Sequence, residues 1–296
     1  MPSPDNDSAP HPPENDSRVS EQLDSPHTGD ANPGLGADTN RNRPDLPADL
    51  RTPLRGFDLL TLAIFYLVAG VAIVFTVGLA AIYLFHVSRQ ALQNFSPAQA
   101  SVTIVAQVLL DGALVALLFL IVRSRSAADF WPSVGWRAFR ESNAAGVVGL
   151  CGATGFMLAV TVGIASSFLD QGKTLPMEEL FRDRQSILLL TGLGVLVAPL
   201  VEETIFRGCV YPVLARSWGR TASIVATGIL FGLAHALQLL PGYGQIALLM
   251  FVGIVLTYIR ARTGTVVASF CVHLSYNAWQ FAFLYFATGG LRHLQP

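Results

Sequence analysis

The sequence predicts an all-α fold in which a bundle of about seven membrane-spanning helices follows a disordered N-terminal tail. Of the 296 residues, 52% are hydrophobic and only 13% are charged, whereas a soluble domain carries about 25% charged residues. The charges are also unevenly distributed. Residues 1–50 hold ten acidic residues and three arginines, while residues 51–296 hold ten acidic and sixteen basic residues. This composition argues against an ordinary soluble enzyme.

Residues 1–50 are expected to form a disordered, acidic, proline-rich tail. They contain nine of the 17 prolines and almost no large apolar side chains. Such a segment cannot bury enough surface to offset the entropy lost on ordering. We expect a solvated tail, with recruitment of a partner as the alternative. The basic excess beyond residue 50 is spread over short loops, so no nucleic-acid-binding face is expected.

The remaining residues, 51–296, are predicted to form the membrane-embedded domain. Residues 59–85 contain no charged side chain over 27 positions, and a helix needs about 20 apolar residues to cross a bilayer. The same reasoning predicts seven spans, with eight as the alternative. The further six are residues 98–122, 143–169, 187–216, 222–240, 245–259 and 265–287.

The loops between the spans indicate an orientation. Residues 127–137 contain Trp131 and Trp136 near arginines, a composition typical of a segment at the membrane–water interface. Residues 170–185 are polar and predict a loop or a short re-entrant piece. Arginines are concentrated in alternate loops, so the positive-inside rule places the N-terminus in the cytoplasm. The localisation that we expect is a bacterial plasma membrane, with the protein integral to it.

Ionisable residues inside the fourth span are the first candidates for function. Each charge at mid-membrane costs about 2.5–3.5 kcal/mol, so Glu202, Glu203 and Arg207 should face a bundle interior or a cavity. Glu203 and Arg207 are four residues apart and can pair on one helix face. Glu202 points about 100° away from that face. Glu202 therefore has no partner on its own helix face. An unpaired carboxylate in a cavity is what a general base requires, so Glu202 is a candidate for that role.

Two later spans carry histidines. The fifth contains Phe231 and His235, and the seventh contains His273 and Asn277. A carboxylate and one imidazole can activate water, while a second imidazole and an amide can donate to a developing oxyanion. Each residue alone also has a structural interpretation. A single intramembrane histidine more often joins two helices through a hydrogen bond, and the Glu203–Arg207 pair alone would be structural.

Other protease signatures are absent from the sequence. Asp111 lies in a Leu-Asp-Gly tripeptide that also occurs in site-2 metalloproteases, but no HExxH accompanies it, so we interpret Asp111 as a structural polar contact. There is also no GxSxG for a serine protease. The three cysteines lie in apolar segments without metal-binding spacing, which disfavours a disulfide framework or a zinc ribbon.

Together the motifs resemble the CPBP family of intramembrane proteases, which includes CaaX prenyl-protein endopeptidases and bacteriocin-processing or self-immunity proteins. The family pattern is EExxxR, FxxxH and HxxxN, which corresponds here to residues 202–207, 231–235 and 273–277. The resemblance covers about residues 143–288, the core of the membrane domain.

The resemblance implies an intramembrane endopeptidase acting on a membrane-associated substrate, with a prenylated CaaX-type protein as one candidate. It implies that Glu202 is the general base, that His235 holds the water, and that His273 and Asn277 stabilise the oxyanion. Glu203, Arg207 and Phe231 would support the site.

The scheme needs no metal, and zinc bound by Glu202, His235 and His273 is the alternative. Two other functions stay open. One is a non-proteolytic membrane interaction or self-immunity protein with the same fold, and the other is a proton-coupled carrier. The expected partners are the lipid bilayer and a peptide or protein substrate, with no nucleic acid. The sequence does not define an oligomeric state.

Overall fold

The computed structural model of the protein describes residues 47–93, 96–139, 144–169 and 184–291. Within these ranges the regular structure is helical and no β-strand occurs, which confirms the predicted all-α fold. The helices are α1 (Gly56–Tyr83), α2 (Arg89–Gln93), α3 (Pro97–Arg125), α4 (Phe130–Ser133), α5 (Ala144–Ser167), α6 (Arg184–Gly192), α7 (Ala198–Ile205), α8 (Tyr211–Trp218), α9 (Arg220–Ala234), α10 (Ala236–Leu239), α11 (Tyr243–Thr263) and α12 (Val266–Ala287).

The predicted spans all correspond to helices, although they differ in their capacity to cross a bilayer. Among the described residues, five helices are long and apolar enough to do so: Gly56–Tyr83, Ala98–Arg125, Ala144–Ser167, Ile187–Trp218 and Tyr243–Thr263. The predicted fifth span, residues 222–240, falls on α9 and on the short helix α10. Helix α9 has 15 residues and is only about 22 Å long. The predicted seventh is α12, whose 22 residues include polar side chains such as His273 and Asn277. The chain is an integral membrane protein, with a span count close to the predicted seven.

Small residues determine how closely the helices pack. A Cβ added at Gly228 of α9 would lie 2.5 Å from the backbone nitrogen of Ile254 in α11. A Cβ added at Gly155 of α5 would lie 2.6 Å from the carbonyl oxygen of Val272 in α12. Helices in membranes associate through such close backbone approaches. The pairs α9–α11 and α5–α12 therefore depend on glycine at these crossings.

The fourth predicted span is a long helix, Ile187–Trp218, that is interrupted by two π-helical turns. The first π turn, Leu193–Val197, comes directly before α7, and the second, Phe206–Val210, comes directly after it. Each is followed within two residues by a proline, Pro199 or Pro212, which lacks an N–H and obstructs regular α-helical bonding. An extra residue in a turn rotates the following side chains by about 100°. The directions of the α7 side chains therefore differ from those that an uninterrupted α-helix would give them.

The last residues of the predicted tail pack on the membrane domain. Ala48–Leu50 form a 3-10 turn, and Leu50 is buried against Tyr211 and Ala261. The Asp49 carbonyl accepts a hydrogen bond of 2.9 Å from Arg260 of α11. The rest of that tail, residues 1–46, and most of the predicted polar loop, residues 170–183, lie outside the described residues.

Candidate active site

The three motifs of the sequence meet where α7, the end of α9 and the middle of α12 come together. The Nε2 atom of His235 lies 3.5 Å from one carboxylate oxygen of Glu202. The Nε2 atom of His273 lies 3.7 Å from the other oxygen. Both distances exceed an ordinary hydrogen bond. The Glu202 carboxylate therefore faces two imidazoles without being tied directly to either one.

The two glutamates of α7 occupy different environments. Glu202 and His235 retain 24% and 21% of their side-chain exposure. Glu203 and Arg207 are completely buried, and His273 is nearly so. The site therefore has an accessible half, which a small molecule can reach, and a dry half, which holds charges in fixed positions.

The predicted pair between Glu203 and Arg207 is present. The Arg207 Nη1 atom donates to Glu203 Oε1 over 2.8 Å, and the remaining guanidinium nitrogens contact α11. Nη2 donates to the Gly253 carbonyl at 2.9 Å, and Nε donates to the Thr257 hydroxyl at 3.3 Å. Arg207 thus connects α7 and α11 through hydrogen bonds from all its nitrogens.

The Glu203 carboxylate also orients His273. The Nδ1 atom of His273 lies 3.0 Å from Glu203 Oε1, the oxygen that already accepts from Arg207. A carboxylate paired with an arginine is ionised and only accepts hydrogen bonds. The Nδ1 atom of His273 therefore carries a hydrogen. This leaves its Nε2 atom directed at Glu202.

His235 is oriented by the backbone. Helix α9 ends at Ala234, and the Nδ1 atom of His235 lies 2.8 Å from the Phe231 carbonyl oxygen. A carbonyl only accepts, so Nδ1 is the donor. In neutral His235 the Nε2 atom is consequently an acceptor, and it faces the accessible side of the site. The hydrogen bond also satisfies one of the free carbonyls at the helix end.

Phe231 packs at the centre of this arrangement. Its ring is 2% exposed and lies 5.0 Å from the ring of His235 and 5.8 Å from that of His273. The Arg207 guanidinium lies 4.6 Å from its centroid, within the range of a cation–π interaction. The side chain of Phe231 therefore packs against the guanidinium and against both imidazoles.

Asn277 makes a different contact from the other three catalytic candidates. Its Nδ2 atom donates to the Gly194 carbonyl in the first π turn at 2.7 Å. The amide group therefore ties α12 to the turn that precedes α7, and one of its two hydrogens is committed there. The second hydrogen remains for another acceptor.

Asp111 forms the polar contact that the sequence suggested. It is 7% exposed in α3, and one of its oxygens accepts a 2.8 Å hydrogen bond from Gln107, one turn earlier.

Metal ligands are the other role that the carboxylate and the two imidazoles of the site could have. Within the described ranges, no group of three or more His, Cys, Asp or Glu side chains is arranged to hold a metal ion. The mechanism proposed for the site uses no step through a metal, and zinc bound by Glu202, His235 and His273 stays the alternative.

Sequence reasoning missed the part of the site that lies outside the motifs. Gly253 and Thr257 of α11 hold the Arg207 guanidinium, although the sixth predicted span had been assigned no role. Their spacing of four residues, with a small residue facing a charged span, is the signal that could have identified them. Trp136, assigned to the membrane interface, instead donates to Thr204 of α7 over 3.0 Å.

Comparison with known families gives a match over the part of the chain that carries the motifs. Residues 184–279 match the family model described as type II CAAX prenyl endopeptidase, Rce1-like. The matched residues contain all three motifs and run from α6 into α12, which confirms the resemblance to the CPBP family of intramembrane proteases. No curated protein and no solved structure matches the chain.

Proposed function

We propose that the protein is an intramembrane endopeptidase that hydrolyses a peptide bond with a water molecule activated by Glu202. The observation that carries the proposal is the convergence of both imidazole Nε2 atoms on the Glu202 carboxylate, at 3.5 and 3.7 Å. These three side chains come from separate helices of an integral membrane protein. The family match, whose described members are CAAX prenyl endopeptidases, supports peptide hydrolysis as the reaction.

In the proposed first step, a water molecule donates one hydrogen bond to Glu202 and the other to Nε2 of His235. Glu202 takes the first proton, and the oxygen of the resulting hydroxide bonds to the carbonyl carbon of the substrate. The carbonyl electron pair moves onto its oxygen. His235 only accepts a hydrogen bond at Nε2 in this step, because Glu202 takes the proton; its Nδ1 hydrogen is donated to the Phe231 carbonyl.

His273 would stabilise the oxyanion through an Nε2 hydrogen. With both nitrogens protonated, His273 donates from Nδ1 to Glu203 and from Nε2 to the oxyanion. The charges of Arg207 and His273 then balance those of Glu202 and Glu203. The uncommitted amide hydrogen of Asn277 is the second proposed donor. Hydrogen bonds of this kind are worth more in a site from which water is largely excluded.

In the second step the tetrahedral intermediate collapses. The C–N bond breaks, the oxyanion electrons return to the carbonyl, and the leaving nitrogen takes the proton held by Glu202. The products are an amine and a carboxylic acid, which ionises, and Glu202 returns to its carboxylate form. Arg207, Glu203 and Phe231 hold the geometry without exchanging protons.

The proposed substrate is a membrane-associated peptide or protein, with a prenylated CaaX-type C-terminus as the first candidate because of the family model that matches. The proposed setting is a bacterial plasma membrane. The N-terminus is placed in the cytoplasm because arginines are concentrated in alternate loops.

The test is a cleavage assay on purified protein in detergent against a peptide library with and without farnesylated members. Wild type, Glu202→Gln, His235→Ala and His273→Ala are compared with and without a chelator. We expect cleavage by the wild type and none by the Glu202→Gln variant. Full turnover by that variant would contradict the mechanism. If neither the wild type nor any variant cleaves a peptide, the non-proteolytic interaction role is favoured. A pull-down from membranes, with intact and with substituted motifs, would then test that role.

A further inference from the structure

The two tryptophans of the segment Trp131–Arg137 have different surroundings. Trp131 is 47% exposed, as expected for a membrane-interface anchor. Trp136 is half-buried, and its Nε1 atom donates a 3.0 Å hydrogen bond to the Thr204 hydroxyl. Thr204 is buried and directly follows Glu203 on α7. Trp136 therefore contacts the helix that carries both glutamates.

The same segment also holds the start of α12. The ring of Trp136 lies 5.2 Å from the ring of Phe270, which is one turn before His273. The Gly135 carbonyl accepts from the backbone N–H of Val266 at 3.0 Å, which satisfies one of the free donors at the N-terminus of α12. The Thr265 hydroxyl donates to the Arg137 carbonyl over 2.6 Å. One short segment thus binds α7 on one side and α12 on the other.

The Thr204 hydroxyl has a defined orientation. It donates to the Leu200 carbonyl one turn earlier at 2.7 Å, so a lone pair is left for the Trp136 N–H. The contact consequently fixes the rotation of α7 as well as its distance from the segment. Nearby, a Cβ added at Gly208 would lie 2.6 Å from the Val134 carbonyl, so the second π turn is also pressed against this segment.

We propose that Trp136 is a positioning residue for peptide hydrolysis, because it sets the spacing between α7 and α12 and thereby between Glu202 and His273. This inference rests on the proposed function. Trp136 lies outside residues 184–279, which match the family model. A displacement of about 1 Å in a catalytic site can lower turnover about 100-fold. A hydrogen bond on the helix with the general base is therefore enough to affect kcat.

The variant Trp136→Phe tests this idea with little other damage. It keeps an aromatic ring beside Phe270 and removes the indole N–H together with one of the two fused rings, a loss of volume that the Thr204 variants do not share. The Thr204 hydroxyl still donates to Leu200, so no buried donor loses its partner. Trp131→Phe is the matched control, because it removes an indole N–H at an exposed position of the same segment and keeps an aromatic ring beside Trp136, whose ring lies 5.9 Å away.

On a library peptide that the wild type cleaves, we expect Trp136→Phe to lower kcat about tenfold to 100-fold without changing KM. For the control Trp131→Phe, both the thermal unfolding midpoint and kcat should stay at the wild-type values. Thr204→Val should reproduce the loss, Thr204→Ser should retain activity, and combining Trp136→Phe with Thr204→Val should add no further loss. Full kcat in Trp136→Phe, or independent losses in the double variant, would overturn the proposal.

A second readout does not depend on cleavage. Hydrogen–deuterium exchange, measured by mass spectrometry on peptides from α7 and the first turns of α12, should be faster in Trp136→Phe than in the wild type and in Trp131→Phe. Unchanged exchange in all three proteins would overturn the positioning role. A wild type that cleaves no peptide would instead count against the proposed function, and the exchange result would still decide whether Trp136 holds the two helices.

Discussion

Replacing Arg207 with methionine is expected to destabilise the helical bundle by about 3–5 kcal/mol. Arg207 and Glu203 are both completely buried, so the substitution leaves the Glu203 carboxylate in a dry site without its cation. The loss is large because the guanidinium also donates to the Gly253 carbonyl and to the Thr257 hydroxyl. One Glu203 oxygen is buried without a hydrogen-bond partner even in the wild type, and the carboxylate of the variant keeps the contact with His273 Nδ1 but loses the guanidinium.

The free energy of unfolding can be measured by titrating the protein in mixed micelles with sodium dodecyl sulfate and following helix content by circular dichroism. Arg262→Met is the matched control, because Arg262 lies in the last turn of α11 and is exposed. It should change stability by less than about 0.5 kcal/mol. The double variant Glu203→Gln/Arg207→Met should be more stable than Arg207→Met, since it leaves no unpaired charge buried.

Two outcomes would refute this reasoning. The first is an Arg207→Met protein that unfolds at the same detergent composition as the wild type. The second is a double variant that is no more stable than Arg207→Met. Either would mean that Glu203 does not hold a buried charge that depends on Arg207, and the proposed charge balance of the site would then be wrong.

Three further predictions follow from the site and from the helix crossings. His235→Ala should lower kcat about 10²–10⁴-fold, since His235 holds the attacking water; wild-type initial rates would contradict its role. Gly228→Ala should lower the unfolding midpoint and cleavage together, because its Cβ would lie 2.5 Å from the Ile254 nitrogen. Gly149→Ala, with no atom within 4 Å of the added Cβ, is the control, and equal midpoints for the two variants would contradict the close crossing. EDTA should leave the initial rate unchanged, and an activity lost in EDTA and restored by zinc would contradict the metal-free mechanism.

Much of this arrangement could be predicted because charges inside membrane spans are costly and therefore must find partners. The spacing of four residues between Glu203 and Arg207 predicted their ion pair, which the structure contains. The three motifs lie on separate helices in the predicted order, and the family match covers them. A charged group buried in an apolar environment has few possible partners, so the local sequence was sufficient to predict the ion pair.

Other features depend on tertiary contacts that no local pattern specifies. The π turns next to α7 could have been anticipated from Pro199 and Pro212, but their length depends on packing against neighbouring helices. Asn277 was assigned to the oxyanion, and its contact with the Gly194 carbonyl arises only because α12 crosses the first π turn. The bond from Trp136 to Thr204 joins residues 68 positions apart, which one sequence alone does not reveal.

The most direct test of the central claim is a single-turnover cleavage in H₂¹⁸O, with enzyme in excess over a peptide that the wild type cleaves. Products of the wild type and of Glu202→Gln are analysed by mass spectrometry. Activation of water by Glu202 predicts one ¹⁸O atom in the new carboxyl group of the wild-type product and no product from the variant. Cleavage by Glu202→Gln at the wild-type rate, or ¹⁸O in the Glu202 side chain instead of the product, would contradict it.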